Sequence, residues 1–219
     1  MVSGFEKFWP AGQADPAFEQ FTTANIDDTV RQMWITNTQV NFCARAYKTV
    51  PMDHPDAAPL SVLGGFLRNG FLHTAIREKG GAYGGGANHD TNIAAFRFFS
   101  YRDPRLNETL DDFDRAIDWM LSGTHEWRMV EEAILGVIGS IDKPGSPAGE
   151  ARQAYHNQLH GRSKDKLEAF RQAILRVRLE DLKRVTEAYL HPERASTAII
   201  TSAATLEQKG NLGLDVINL

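Results

Sequence analysis

A chain of 219 residues with 42% hydrophobic and 24% charged side chains can bury one sizeable core, which excludes an unfolded polyelectrolyte. A net charge of −4 gives no reason to expect nucleic acid or an anionic membrane as partner. The single cysteine, Cys43, excludes an intrachain disulfide and cannot build a thiolate metal site alone.

The chain opens on MVSGFEKFWP, which lacks the basic start and apolar run of a signal peptide. No window approaches the roughly 20 consecutive apolar residues of a membrane span. Together these lead to a cytoplasmic expectation. Residues 1–24, with Trp9-Pro10-Ala11-Gly12 and Pro16, read as a tail or a connector from something upstream. Residues 25–219 form the domain proper.

Gln39–Val50 alternates, with Val40, Phe42, Ala44 and Ala46 on one side and Asn41, Cys43, Arg45 and Tyr47 on the other. This predicts a strand with one apolar face, whose polar face meets water or a polar chamber. Pro51–Pro59 reads as a turn. Leu60–Lys79 reads as a long helix, apolar around much of its girth and therefore largely buried. Gly64, Gly65 and Gly70 inside it are expected where a neighbour packs closely. Gly80-Gly81 ends it, after a last turn carrying Arg77 and Lys79. A glycine-rich loop follows, through Ala82, Tyr83 and Gly84–Gly86.

Ile93–Tyr101 has apolar residues on both faces and reads as a central strand covered on both sides. Asp103-Pro104 suits a helix start, with Asp as N-cap. That helix would bury Leu106, Leu110, Phe113, Ile117 and Met120, and Gly123 would close it. A further helix is expected from about His125 to Ser140. After the break Asp142–Gly149, helical patterns span Glu150–His160, Lys164–Arg176 and Leu179–Leu190, with Ser163 as an N-cap. Ser196–Thr201 is a last short strand, and Leu206–Leu219 shows no clear pattern. Strands separated by paired helices, without regular βαβ alternation, give an α+β class. Helices would cover one face of a mostly antiparallel sheet.

Chemistry concentrates between Leu67 and Pro104. Five glycines between Gly80 and Gly86 each cost roughly 0.5–1 kcal/mol on ordering, an expense suited to close backbone approach or movement. Arg77 and Tyr83 flank the first pair, and such donors beside bare backbone can bind a peptide carbonyl or its oxyanion. The run IREKGGAYG followed by FRFFSYRDP resembles the C-terminal half of the insulinase/pitrilysin family of zinc metallopeptidases, closest to its presequence-protease branch. The resemblance extends from about Ile35 to the end.

That resemblance implies an α+β half of a two-part clamshell enzyme several times longer. It implies that Arg77 and Tyr83 act as catalytic contacts to substrate and tetrahedral intermediate, with Gly80, Gly81, Ala82 and Gly84 beside the peptide. The resemblance also implies zinc on an HxxEH motif in the other half. None of the seven histidines here begins HxxEH, so no cofactor is expected in this chain. His156 and His160 lie four apart, yet Asn157 stands where HExxH carries its Glu, which favours surface histidines.

The glycine run lacks the Lys-Ser/Thr end of a P-loop and follows a helix, which argues against nucleotide binding. Ser100 has no GxSxG elbow, and Cys43 on a strand reads as an inert small residue. The charged run Arg171–Arg184 reads as a solvated face. The expected function is the non-zinc-binding part of a peptide-degrading metallo-endopeptidase, inactive alone and completed by an N-terminal zinc-bearing half. Two rivals are kept. One is a non-catalytic peptide-binding or scaffold subunit of the same fold. The other is an independent hydrolase using Ser100 or Cys43.

Overall fold

The computed structural model describes residues 28–219, so the tail reading for 1–24 lies outside the described residues. The strands are β1 (Arg31–Ile35), β2 (Asn41–Lys48), β3 (Gly84–Asp90), β4 (Ala95–Asp103), β5 (Ser196–Thr201) and β6 (Asp215–Asn218). They form one sheet in the order β3-β4-β2-β5-β1-β6. The pairs β3–β4, β4–β2 and β2–β5 are antiparallel, while β1 runs parallel to both β5 and β6. The helices are α1 (Ala57–Leu67), α2 (Asn107–Ser122), α3 (Trp127–Ile141), α4 (Pro147–Leu159), α5 (Lys164–Leu175), α6 (Leu179–Tyr189) and α7 (Ala203–Lys209).

The helices cover one face of the sheet. Met33, Cys43, Tyr47, Phe96, Phe98 and Ile199 point into that layer and meet Leu60, Leu63, Leu67 and Phe113 in one continuous core. Among the described residues no helix covers the opposite face. Trp34, Ile200 and Phe42 share one cross-strand row on it, and Ala198, Ala44 and Phe99 share the next. The α+β expectation with a largely antiparallel sheet therefore describes the molecule.

Two faces differ from the sequence reading. On β2 it is the mixed side, Asn41, Cys43 and Tyr47, that is buried, while Ala44 is exposed. Asn41 tolerates burial because its amide donates to the carbonyls of Asp103 and Arg105, and its oxygen accepts from Thr201. Arg45 reaches Asp114 on α2. On β4 the buried residues are Phe96, Phe98, Ser100 and the terminal Asp103, whereas Tyr101 is 39% exposed, so this strand is buried on one side rather than two.

The long helix is continuous in direction but changes winding. α1 passes into a π-helical segment, Arg68–Lys79. Gly64 sits against the β3 backbone, where a Cβ would lie 2.9 Å from the Asn88 Cα, and Gly70 sits under the Trp119 ring. Both satisfy the expectation of close packing. The helix expected at Asp103 starts instead at Asn107. Asp103 is buried at the end of β4, where its carboxylate accepts from the Arg105 N–H and the Thr109 hydroxyl. Ser163 does cap α5, accepting from the Lys166 N–H.

Candidate functional site

The glycine-rich stretch is a turn followed by a terminal strand of the sheet, not one long loop. Gly80 keeps a helical φ of −81°, and the left-handed residue is Gly81, at φ +80°. The turn is pinned at three points. The Gly81 N–H donates to the Arg77 carbonyl, Ala82 to Ile76, and Tyr83 to Arg102, at 3.0, 3.1 and 3.2 Å. Gly84 to Gly86 then run as strand β3 beside β4.

Arg77 and Tyr83 stand on the two arms of this turn, both exposed. The Arg77 guanidinium donates to His73 Nε2 at 3.4 Å, and among the described residues it pairs with no carboxylate. Tyr83 is 66% exposed, and its hydroxyl has no protein partner among the described residues. Its ring is nevertheless held. Tyr101 lies 5.6 Å away, tilted by 58°, and the Arg102 guanidinium carbon stands 5.7 Å from the ring centre.

A β-bulge makes this double contact possible. Asn41 pairs with Asp103 and Cys43 with Ser100, so Tyr101 and Arg102 together oppose Phe42. Regular alternation would send these two neighbours to opposite faces. Arg102 instead takes φ 50°, and both side chains reach the same ring. Sequence alternation along Ile93–Tyr101 carries no signal for such a bulge.

The four residues expected beside a peptide have distinct surroundings. Gly80 is buried under the Arg105 guanidinium, which also donates to the Ala75 carbonyl and to Asp112. Ala82 is buried, and Gly81 is exposed at the apex. Gly84 faces Tyr101 across the strands, and a Cβ there would fall 2.6 Å from that ring. A bare residue at this position lets Tyr101 lie flat enough to support Tyr83.

Elsewhere the independent-hydrolase reading fails. Cys43 and Ser100 are 1% and 3% exposed. Burial pushes the Cys43 thiol up to about 12, so a thiolate nucleophile is unavailable. Among the described residues no group of three His, Cys, Asp or Glu side chains could hold a metal ion, so the residues present do not fit zinc. His156 and His160 stack on each other along exposed α4, with ring centres 6.5 Å apart. No helix among the described residues is long and apolar enough to cross a membrane.

A family model described as the PreP C-terminal domain matches residues 31–203. The mitochondrial presequence protease of Mus musculus is 39% identical over 187 residues, covering 83% of this chain and 18% of its own length. Its counterpart in Yarrowia lipolytica is 39% identical over 163 residues, covering 74% of this chain and 16% of its own length. This chain thus spans less than a fifth of the curated relatives it matches. Their names place those relatives in mitochondria and lend the cytoplasmic expectation no support. Among solved structures, a protease from Helicobacter pylori superposes with TM-score 0.68 at 16% identity, over 80% of this chain and 44% of that one.

Proposed function

The chain belongs to the PreP C-terminal domain family, and on that premise we propose that it is the non-zinc-binding part of a peptide-degrading metallo-endopeptidase. In this reading the chain supplies one wall of a chamber whose zinc is carried by a separate N-terminal half. The partners are a peptide substrate and that half. The wall's chemistry is hydrogen-bond donation. A guanidinium and a phenol, the side chains of Arg77 and Tyr83, donate to a substrate backbone carbonyl and to the oxyanion that it becomes. The apex of the turn at Gly81 and the start of β3 at Gly84 let an extended chain approach the backbone, as in strand addition.

One observation carries this reading. Two strong donors flank a single turn and keep donor capacity: Arg77 meets only His73 and no carboxylate, and the Tyr83 hydroxyl has no partner among the described residues.

The test is reconstitution. The 219-residue chain, mixed with a separately produced zinc-bearing half from a relative, should give peptide cleavage that neither part shows alone. Arg77→Ala and Tyr83→Phe should each remove most of it. Unchanged cleavage with both variants would favour the second reading, a scaffold subunit of the same fold.

A further inference from the structure

At the far end of β3 from Tyr83, seven strand residues or roughly 20 Å away, the protein carries a second cleft. It measures about 570 Å³ and lies between the turn Pro51–Pro55, the β3–β4 turn at Thr91-Asn92, and the start of α5. Its floor is apolar, built from Met52, Ala58 and Phe170. Its rim is cationic. Arg162 and Lys166 line it together with His54 and His160, against one carboxylate, Asp53.

The two permanent cations are differently placed. The Arg162 guanidinium is steadied across the mouth by the side-chain oxygen of Asn92. It keeps further N–H groups for another acceptor. The Lys166 ammonium has no ion pair or hydrogen bond among the described residues. Two fixed positive charges facing one negative leave the rim one anion short. An apolar floor beneath a cationic rim suits a ligand with one negative end and an apolar body.

We propose that this cleft binds a monocarboxylate on an apolar chain, with the carboxylate between Arg162 and Lys166 and the chain over Phe170 and Ala58. The carboxyl terminus of a short apolar peptide and a fatty acid share that chemistry. The proposal stands apart from the Arg77–Tyr83 site and does not depend on it.

Calorimetric titration of the full 219-residue chain tests it, using N-acetyl-alanyl-leucine, its C-terminal amide, and decanoate. At least one carboxylate should bind with Kd below about 1 mM, and the Arg162→Gln/Lys166→Gln variant should bind it at least about tenfold more weakly. A cooperative thermal transition in the variant should show that it still folds, even though it loses the Arg162–Asn92 contact. Binding of the peptide acid alone would assign a peptide terminus, and binding of decanoate alone would assign a fatty acid. The proposal is overturned if neither carboxylate binds, if the amide binds as tightly as the acid, or if the double variant binds like the parent. Inorganic phosphate matching the carboxylates would also overturn it, since charge alone would then suffice.

Discussion

The ring of Tyr101 occupies the space that a side chain at residue 84 would need: a Cβ on Gly84 would sit 2.6 Å from it. That single omission seats Tyr101 against Tyr83, so the exposed phenol rests on a neighbouring strand rather than hanging from the turn. Gly84→Ala should push the end of the half-exposed Tyr101 ring aside at a cost of about 0.5–1 kcal/mol, below the usual range for overpacking a core. Chemical denaturation of the purified chain measures it. An unchanged midpoint would mean that the ring yields freely and does not steady Tyr83.

The turn apex makes a separate prediction. Gly81 holds φ +80°, a conformation that costs an L-residue about 1–2 kcal/mol. Space is not the obstacle, because a Cβ would meet only Pro104, at 3.5 Å. Gly81→Ala should therefore destabilise through backbone strain, and replacement by D-alanine in a semisynthetic chain should restore the midpoint. Equal loss with both stereoisomers would point to a steric cause instead.

Stability should depend on His89. Its Nε2 lies 3.1 Å from both the Val50 carbonyl and the Thr49 hydroxyl. Nδ1 lies 3.2 Å from the Ser61 oxygen, whose own proton goes to the Ala57 carbonyl at 2.8 Å. Burial holds this imidazole below its ordinary value of 6.5, against the Val50 and Ala57 carbonyls and the Asp90 charge, which favour the charged form. The folded state then binds fewer protons than the unfolded one. Its contribution is complete above pH 6.5 and is lost as pH falls through the lowered value. Melting temperature should drop from about pH 7.5 to about pH 5, and His89→Gln should flatten that slope. An equally steep slope in the variant would assign the effect to other groups.

Much of the architecture is legible in the residues, and the misses have physical causes. Ser196–Thr201 and the helices before it announce themselves through period and caps. β1 does not, because Arg31-Gln32-Met33-Trp34-Ile35 is short and its one clear apolar pair needs β5 beside it to make sense. β6 fails for the same reason, being paired among the described residues with β1 alone. β3 is disguised by three glycines, poor strand formers that are tolerated where Tyr101 and Ile76 press close. On β2, small alanines face the open side while Asn41 and Tyr47 go inward, which inverts a reading based on polarity alone. At the site, Arg77 and Tyr83 stand out by residue type and neighbouring glycines. Tyr101 and Arg102 could not be found that way, since a one-residue bulge brings them together.

The sharpest test asks whether Arg77 and Tyr83 grip one and the same carbonyl. In the reconstituted two-part enzyme, Arg77→Ala and Tyr83→Phe should each lower kcat by about 10²–10³ with little change in KM. Because the two donors serve a single oxyanion, the double variant should be only slightly worse than the poorer single one. Losses that multiply independently, or that fall on KM alone, would contradict the account.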